Sequence, residues 1–216
     1  MLSAVPALPW ETIAVVLSVA YLLLAARARI ECWYAAAASV VIYFFILLDV
    51  QLYMEAGLQV FYLAMAGYGF LHWRRGAASA SGSAGAPIVT WRWRNHVIAL
   101  SGVAAATLVS GWLLHRHTDA AYPFLDAFTT CGALVATVMV ARKVLENWLY
   151  WIVIDAAAIY LFLARDLEQT AALFALYTVL AAYGFIDWRR RWLLQGAPGQ
   201  AVTAPLPTPG SSDNSL

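Results

Sequence analysis

Seven apolar runs, each long enough to form a helix in lipid, follow one another along the chain with short polar breaks between them. They extend approximately from Leu8 to Ala26, Cys32 to Leu48, Val50 to His72, His96 to Leu114, Tyr122 to Val140, Trp148 to Ala164 and Thr170 to Ile186. A hydrocarbon core about 30 Å thick takes roughly 20 predominantly apolar residues to cross as a helix. Lipid offers unpaired backbone N–H and C=O groups no partner, and the short alternating strands of a membrane barrel are absent, so the spans must be helices. The pattern predicts an all-α polytopic membrane protein with seven transmembrane helices.

Composition agrees with this. Of 216 residues, 63% are hydrophobic and 12% charged, and the mean hydropathy is +0.70, whereas a soluble domain carries about 25% charged residues. Met1 to Trp10 holds no Lys or Arg, so the first span reads as a permanent helix and not as a cleaved signal. Cys32 and Cys131 lie at or within spans without C-x-x-C spacing and read as plain packed thiols. His72, His96, His115 and His117 sit at span ends and make no metal set, so neither a metal nor a cofactor is expected.

The distribution of cations orients the chain. With the end of the first span on one side, Arg27, Arg29, Arg74, Arg75, Arg92, Arg94, Arg142, Lys143, Arg189, Arg190 and Arg191 fall on that side, and of the 13 Lys and Arg only Arg116 and Arg165 fall opposite. Cytoplasmic loops carry the excess of Lys and Arg, which predicts an amino end outside and a carboxyl end in the cytoplasm, and an even number of spans would spoil the bias. The basic run Arg189 to Arg191 directly follows Trp188, the position of an interfacial anchor. Contact with lipid head groups fits these cations; nucleic acid does not.

Sliding the sequence against itself by 115 residues uncovers a duplication. Glu31 aligns with Glu146, Trp33 with Trp148, Tyr62 with Tyr177, Tyr68 with Tyr183, Gly69 with Gly184 and Phe70 with Phe185; Trp73, Arg74 and Arg75 align with Trp188, Arg189 and Arg190. Acidic Glu11 meets acidic Asp126, and Arg27 meets Arg142. Three spans repeat in one orientation, so an extra crossing must separate them, and the fourth span supplies it. The expected plan is a first three-helix bundle over residues 8–73, a flexible cytoplasmic linker over 74–95 that includes Ser81, an inverting helix over 96–114, and a second bundle over 122–188. Residues 195–216, rich in Pro, Gly and Ser, read as a disordered cytoplasmic tail. Parallel bundles related by an axis along the membrane normal are a transporter arrangement, with solute held between them near mid-membrane.

Polar groups inside hydrocarbon cost about 2.5 to 3.5 kcal/mol at mid-depth and need a reason to be there. In the sixth span, Asp155 shares a helical face with Trp148 and Trp151, and Asn147 precedes them. A planar aromatic or cationic ring could stack on either indole while Asn147 and Asp155 bond its substituents. Glu55, Gln59 and Tyr62 step along one face of the third span; their repeat counterparts are Thr170, Phe174 and Tyr177, so the halves diverge where an asymmetric solute would require it. Asp126, Thr129 and Thr130 enter from the fifth span, though such threonines often bond their own backbone. Gly67 and Gly69, matched by Ala182 and Gly184, read as places of close helix packing.

These residues carry a resemblance. W-E at Trp10 and Glu11, L-Q-x-x-Y at Leu58, Gln59 and Tyr62 with the following Y-G-F-x-x-W, and E-N-W-x-x-W from Glu146 to Trp151 are similar to the PnuC family of nicotinamide riboside transporters over roughly Trp10 to Trp188. Phe70 and Phe185 depart from the family pattern, which has Trp there. The resemblance implies the three-plus-one-plus-three fold of the SWEET sugar transporters, a homotrimer in the bacterial inner membrane, and facilitated diffusion of a vitamin or nucleoside trapped afterwards by phosphorylation. The motifs do not separate nicotinamide riboside from thiamine or riboflavin.

Other functions fit less well. A retinal protein needs a lysine inside a late span, and Lys143 lies at a span end. An intramembrane hydrolase lacks a G-x-S-x-G motif, and no Walker motif could use ATP directly. A vitamin-binding membrane subunit of an energised complex remains a rival of another class.

Overall fold

The structure, a computed structural model, describes residues 9–49, 53–79, 86–118 and 121–195. Seven helices account for nearly all of them: α1 (Pro9–Ala26), α2 (Cys32–Asp49), α3 (Tyr53–Ser79), α4 (Trp93–His117), α5 (Pro123–Ala141), α6 (Asn147–Leu163) and α7 (Glu168–Gln195). Among them α2, α4, α5 and α7 are long and apolar enough to cross a membrane, and α1 and α6 are shorter apolar helices. The fold is all-α, as expected. Expected linker residues from Arg74 to Ser79 instead continue α3, and residues 86–92 form an ordered segment; Ser81 and the tail beyond Gln195 lie outside the described residues.

Local sequence explains the helix ends. α5 opens with Pro123, whose missing N–H is no loss in a first turn. Three helices close with a left-handed residue that is not glycine: Ala28, Lys143 and Asp166, with φ of 53°, 54° and 57°. In each case the next amide reaches back to the last turn, Arg29 N to Leu24 O (3.0 Å), Val144 N to Met139 O (3.0 Å) and Leu167 N to Phe162 O (2.9 Å), which satisfies carbonyls that lipid could not. Ala28 and Lys143 are repeat partners, so the duplication preserves this turn down to its backbone conformation.

Packing follows the duplication as well. Within each half the middle helix touches both neighbours, α1 and α3 on α2, α5 and α7 on α6. Between halves, α1 packs on α7 and α3 on α5, two contacts that a twofold pseudo-rotation exchanges. α4 reverses the chain between the bundles and leans on α5. Its outer side leaves Ile98, Leu108 and Trp112 exposed, as a helix facing lipid or a second protein would.

The core gathers where the basic residues lie, at the end of the bundles formed by the α1–α2 and α5–α6 turns. Trp188 is wholly buried there, which corrects the reading of it as an interfacial anchor. The rings of Trp33 and Trp73 meet edge to face at 5.4 Å, Trp73 and Trp188 at 5.9 Å, and Trp188 and Trp148 at 5.4 Å, giving a layer of four indoles with the symmetry of the repeat. Trp73 Nε1 donates to Ala141 O (3.2 Å) and Trp188 Nε1 to Ala25 O (3.0 Å), each reaching the opposite bundle. The end of the other bundle's first helix gives each of these two buried N–H groups its partner, whereas Trp33 Nε1 and Trp148 Nε1 have none among the described residues. Gly69 and Gly184 let the layer form: a Cβ at Gly69 would collide with the Trp33 ring, and one at Gly184 would stand 2.7 Å from the Trp148 ring. Gly67, expected to serve close packing, has no such neighbour.

Candidate functional site

Above the tryptophan layer, between the bundles, lies a cavity of about 840 Å³ walled by all seven helices. Trp33 and Trp148 form its floor, so the layer seals the basic end. Eight of the ten residues singled out in the sequence line this space: Gln59 and Tyr62 from α3, Asp126 and Thr130 from α5, Trp148, Trp151 and Asp155 from α6, and Tyr177 from α7. Asn147 does not line it. It is 0% exposed, its Nδ2 donates to Val144 O (2.6 Å), and its Oδ1 has no partner among the described residues. The side chain of Glu55 lies outside the described residues.

The walls carry the asymmetry that the repeat allowed to develop. Trp33 and Trp148 match, as do Tyr62 and Tyr177, and Ala66 and Ala181. Elsewhere the partners differ: Ala36 faces the role of Trp151, Val40 that of Asp155, Gln59 that of Phe174, and Tyr43 that of Ala158, all of them on the cavity wall. The second-half wall is therefore aromatic and acidic at Trp151, Asp155 and Phe174, where the rotated first-half wall has Ala36, Val40 and Gln59. Asp155 is 3% exposed and makes no hydrogen bond or ion pair with another described residue. A carboxylate at that depth is costly until something supplies a proton, donors or a positive charge.

Other wall residues escaped the sequence reading. Arg165, counted there only among the cations opposite the basic end, lines the cavity and donates from Nη2 to Asp126 Oδ2 at 2.7 Å, closing α5 against the α6–α7 turn. The signal was available in part, since an acid in a span calls for a partner and Arg165 is one of two cations on that side. Ser39 donates to Ala14 O (2.9 Å) and pairs with Ser18 (2.8 Å), joining α1 to α2 at the wall. Phe174 packs on Phe162 (5.1 Å) and Tyr177 (5.6 Å). Thr129 donates to Asp126 O (3.0 Å), so its hydroxyl serves its own helix. Cys131 lines the cavity, and Cys32 is buried behind Trp33 at the start of α2; both are free thiols.

Known proteins are similar to this chain. The family model of nicotinamide mononucleotide transporters matches residues 8–190. A riboflavin/roseoflavin transporter, RibM, of Streptomyces davaonensis is 30% identical over 152 residues, 67% of this chain and 70% of that one. The nicotinamide riboside transporter PnuC of Escherichia coli is 23% identical over 192 residues, 76% of this chain and 78% of that one. The crystal structure of a vitamin B3 transporter PnuC superposes with a TM-score of 0.68 at 22% identity, covering 86% of this chain and 82% of that one. The family match takes in every helix that walls the cavity, and the chain accordingly belongs to the nicotinamide mononucleotide transporter, or PnuC, family of multi-pass membrane transporters.

Proposed function

We propose that the protein carries a cationic aromatic vitamin, nicotinamide riboside, through the inner membrane by facilitated diffusion, with later phosphorylation in the cytoplasm retaining it. The observation that carries the choice of solute is Asp155, a buried carboxylate without a hydrogen-bond or ion-pair partner among the described residues, beside Trp148 and Trp151 in the cavity wall. A pyridinium ring gives that carboxylate a counter-charge and stacks on an indole face, each favourable ring contact adding about 0.5 to 2 kcal/mol. Gln59, Tyr62, Tyr177, Thr130 and Asp126 then supply hydrogen bonds to an amide and a ribose. Asn147 contributes by bracing the α5–α6 turn through Val144 O, next to Trp148 in the chain. The PnuC relatives support the same solute. The positive-inside bias supports a cytoplasmic basic end and an amino end outside. Assembly as a homotrimer in the membrane accords with the apolar outer side of α4.

A second reading is riboflavin, favoured by the higher identity to RibM. Riboflavin is neutral, so it leaves Asp155 without a counter-charge, and thiamine, a cation, does not. Purified protein in lipid vesicles should take up labelled nicotinamide riboside down its gradient with neither ATP nor a proton gradient. Uptake of riboflavin or thiamine with indifference to nicotinamide riboside would replace the solute, and a requirement for an ATPase partner would replace the mechanism.

A further inference from the structure

At the basic end, residues 86–92, before α4, cross the α5–α6 turn. Val89 N donates to Lys143 O (3.0 Å), Leu145 N to Val89 O (2.8 Å) and Trp91 N to Glu146 Oε2 (3.2 Å), so Val89 and Val144 pair as a parallel β-bridge. Ile88 is buried in the same core cluster as Trp73, Trp148 and Trp188. Gly76, on the last part of α3, packs so closely on Ala86 that a Cβ there would collide with it. The segment thus ties the first bundle, through α3, to the second bundle, through the α5–α6 turn, directly over the tryptophan layer.

Lys143, the chain's single lysine, joins the two. It is 2% exposed; its Nζ donates to Ala86 O (2.7 Å) and stands 4.5 Å from the centre of the Trp73 ring. The duplication provides an internal control. Ala28 occupies the matching position of the α1–α2 turn with the same left-handed backbone, so the turn itself has no need of a lysine. No described segment crosses that first turn as residues 86–92 cross the second. An ammonium withdrawn from water at such a place is costly, and contact with both the crossing segment and Trp73 gives it a purpose.

We propose that residues 86–92 form a latch across the basic end of the cavity, and that Lys143 is its positioning residue, holding the latch on the tryptophan layer until the bundles part there. Release of solute at this end requires Trp73 and Trp188 to separate and their hydrogen bonds to Ala141 and Ala25 to break. With the latch seated, α3 and the α5–α6 turn move as one and this separation is blocked. The proposal rests on the transport reading above, and its first test needs no solute.

That test uses the full-length protein in lipid vesicles with Cys131→Ser, which leaves Cys32 as the remaining thiol. Cys32 is buried beside Trp33, so a water-soluble maleimide reports opening of this end. Lys143→Met keeps the apolar stem and loses the donor and the charge; labelling should quicken about fivefold, the yield of one lost hydrogen bond. Lys143→Arg can still reach a carbonyl and lie over an indole, and should label at nearly the parent rate. Equal rates for parent and the Met variant, with the melting temperature retained, overturn the proposal. A second design covers failure of that variant to fold: Val89→Cys with Val144→Cys in a chain carrying Cys32→Ser and Cys131→Ser. Oxidation should lower the flux of labelled nicotinamide riboside or riboflavin on the order of tenfold, as expected for a gating step, and reduction should restore it. Equal flux in both forms overturns the latch. Should neither solute move in the reduced form, the solute assignment fails and Cys32 labelling still decides the latch.

Discussion

Trp73 and Trp188 occupy equivalent places in the duplicated sequence, meet edge to face with ring centroids 5.9 Å apart, and each donates its indole proton to a carbonyl of the opposite bundle. The same pair joins the bundles and seals one end of the cavity. Replacing Trp188 with Ala should destabilise the protein by about 3 to 5 kcal/mol, since it opens a large void in the core. Trp73→Phe should cost about 1 kcal/mol, chiefly the hydrogen bond to Ala141. Thermal unfolding in detergent checks both, and a Trp188→Ala variant as stable as the parent would contradict the buried position.

Two glycines of similar sequence setting should behave differently. Gly184→Ala drives a methyl into the Trp148 ring and should cost about 1 to 3 kcal/mol through overpacking, with a loss of solute affinity because the cavity floor shifts. Gly67→Ala meets nothing within 4 Å and should leave unfolding unchanged or slightly improved, as Ala favours a helix by about 1 kcal/mol over Gly. Comparable losses at both positions would argue against the floor.

At the binding wall, Asp155→Asn should weaken nicotinamide riboside by about tenfold or more, the effect of removing a hydrogen bond or ion pair to a charged group, while leaving riboflavin affinity nearly unaltered. Trp151→Ala should weaken both by about threefold to thirtyfold. Calorimetric titration of the three vitamins against each variant separates these cases. Equal losses for cation and neutral flavin in the Asn variant would mean Asp155 is structural.

The Asp126–Arg165 pair is 26% and 34% exposed in its side chains. Screening at that exposure limits its contribution to stability to about 0 to 1 kcal/mol. Arg165→Gln should therefore leave the melting temperature nearly unchanged while altering the KM for uptake, because both residues line the cavity. A drop in stability with an unaltered KM would reverse that assignment.

Burial, reinforced by the nearby Arg191 charge, lowers the Lys143 ammonium from its ordinary value of 10.5 to about 8. Between those values the unfolded chain holds a proton that the folded protein has released, so this group makes stability rise with pH across the window. Relative to Lys143→Met, the parent should gain stability between pH 8 and pH 10. Parallel stability curves for the two proteins would show that Lys143 is not held in a desolvated place.

Much of this was readable from the chain. Apolar run lengths and the constant offset of the repeat report on helices and topology, because each is a periodic or cumulative property of sequence. The common face of Trp148, Trp151 and Asp155 was likewise visible, being fixed by helical spacing. Contacts between bundles have no such periodicity. Trp188 looked like an anchor because its neighbours are Arg189 to Arg191, yet the partner that buries it, Ala25, is far away in the chain. Arg165 could not be joined to Asp126 from spacing alone, and reading residues 74–95 as one linker passed over Ile88, Val89 and Trp91, which set the crossing at 86–92 apart from the Gly, Ala and Ser of 76–85. Asn147 lies on α6 as read, but its amide bonds Val144 O and it is not among the residues lining the cavity.

Duplication left the four-indole seal shared equally by both halves while Ala36, Val40 and Gln59 drifted from Trp151, Asp155 and Phe174. Under the proposed function, the moving parts and the recognising parts are consequently separable. A new cargo could be accommodated by exchanging a few side chains on one wall, without redesigning the machinery that opens and shuts around it, and the most economical route to retuned selectivity runs through Val40 and its diverged twin.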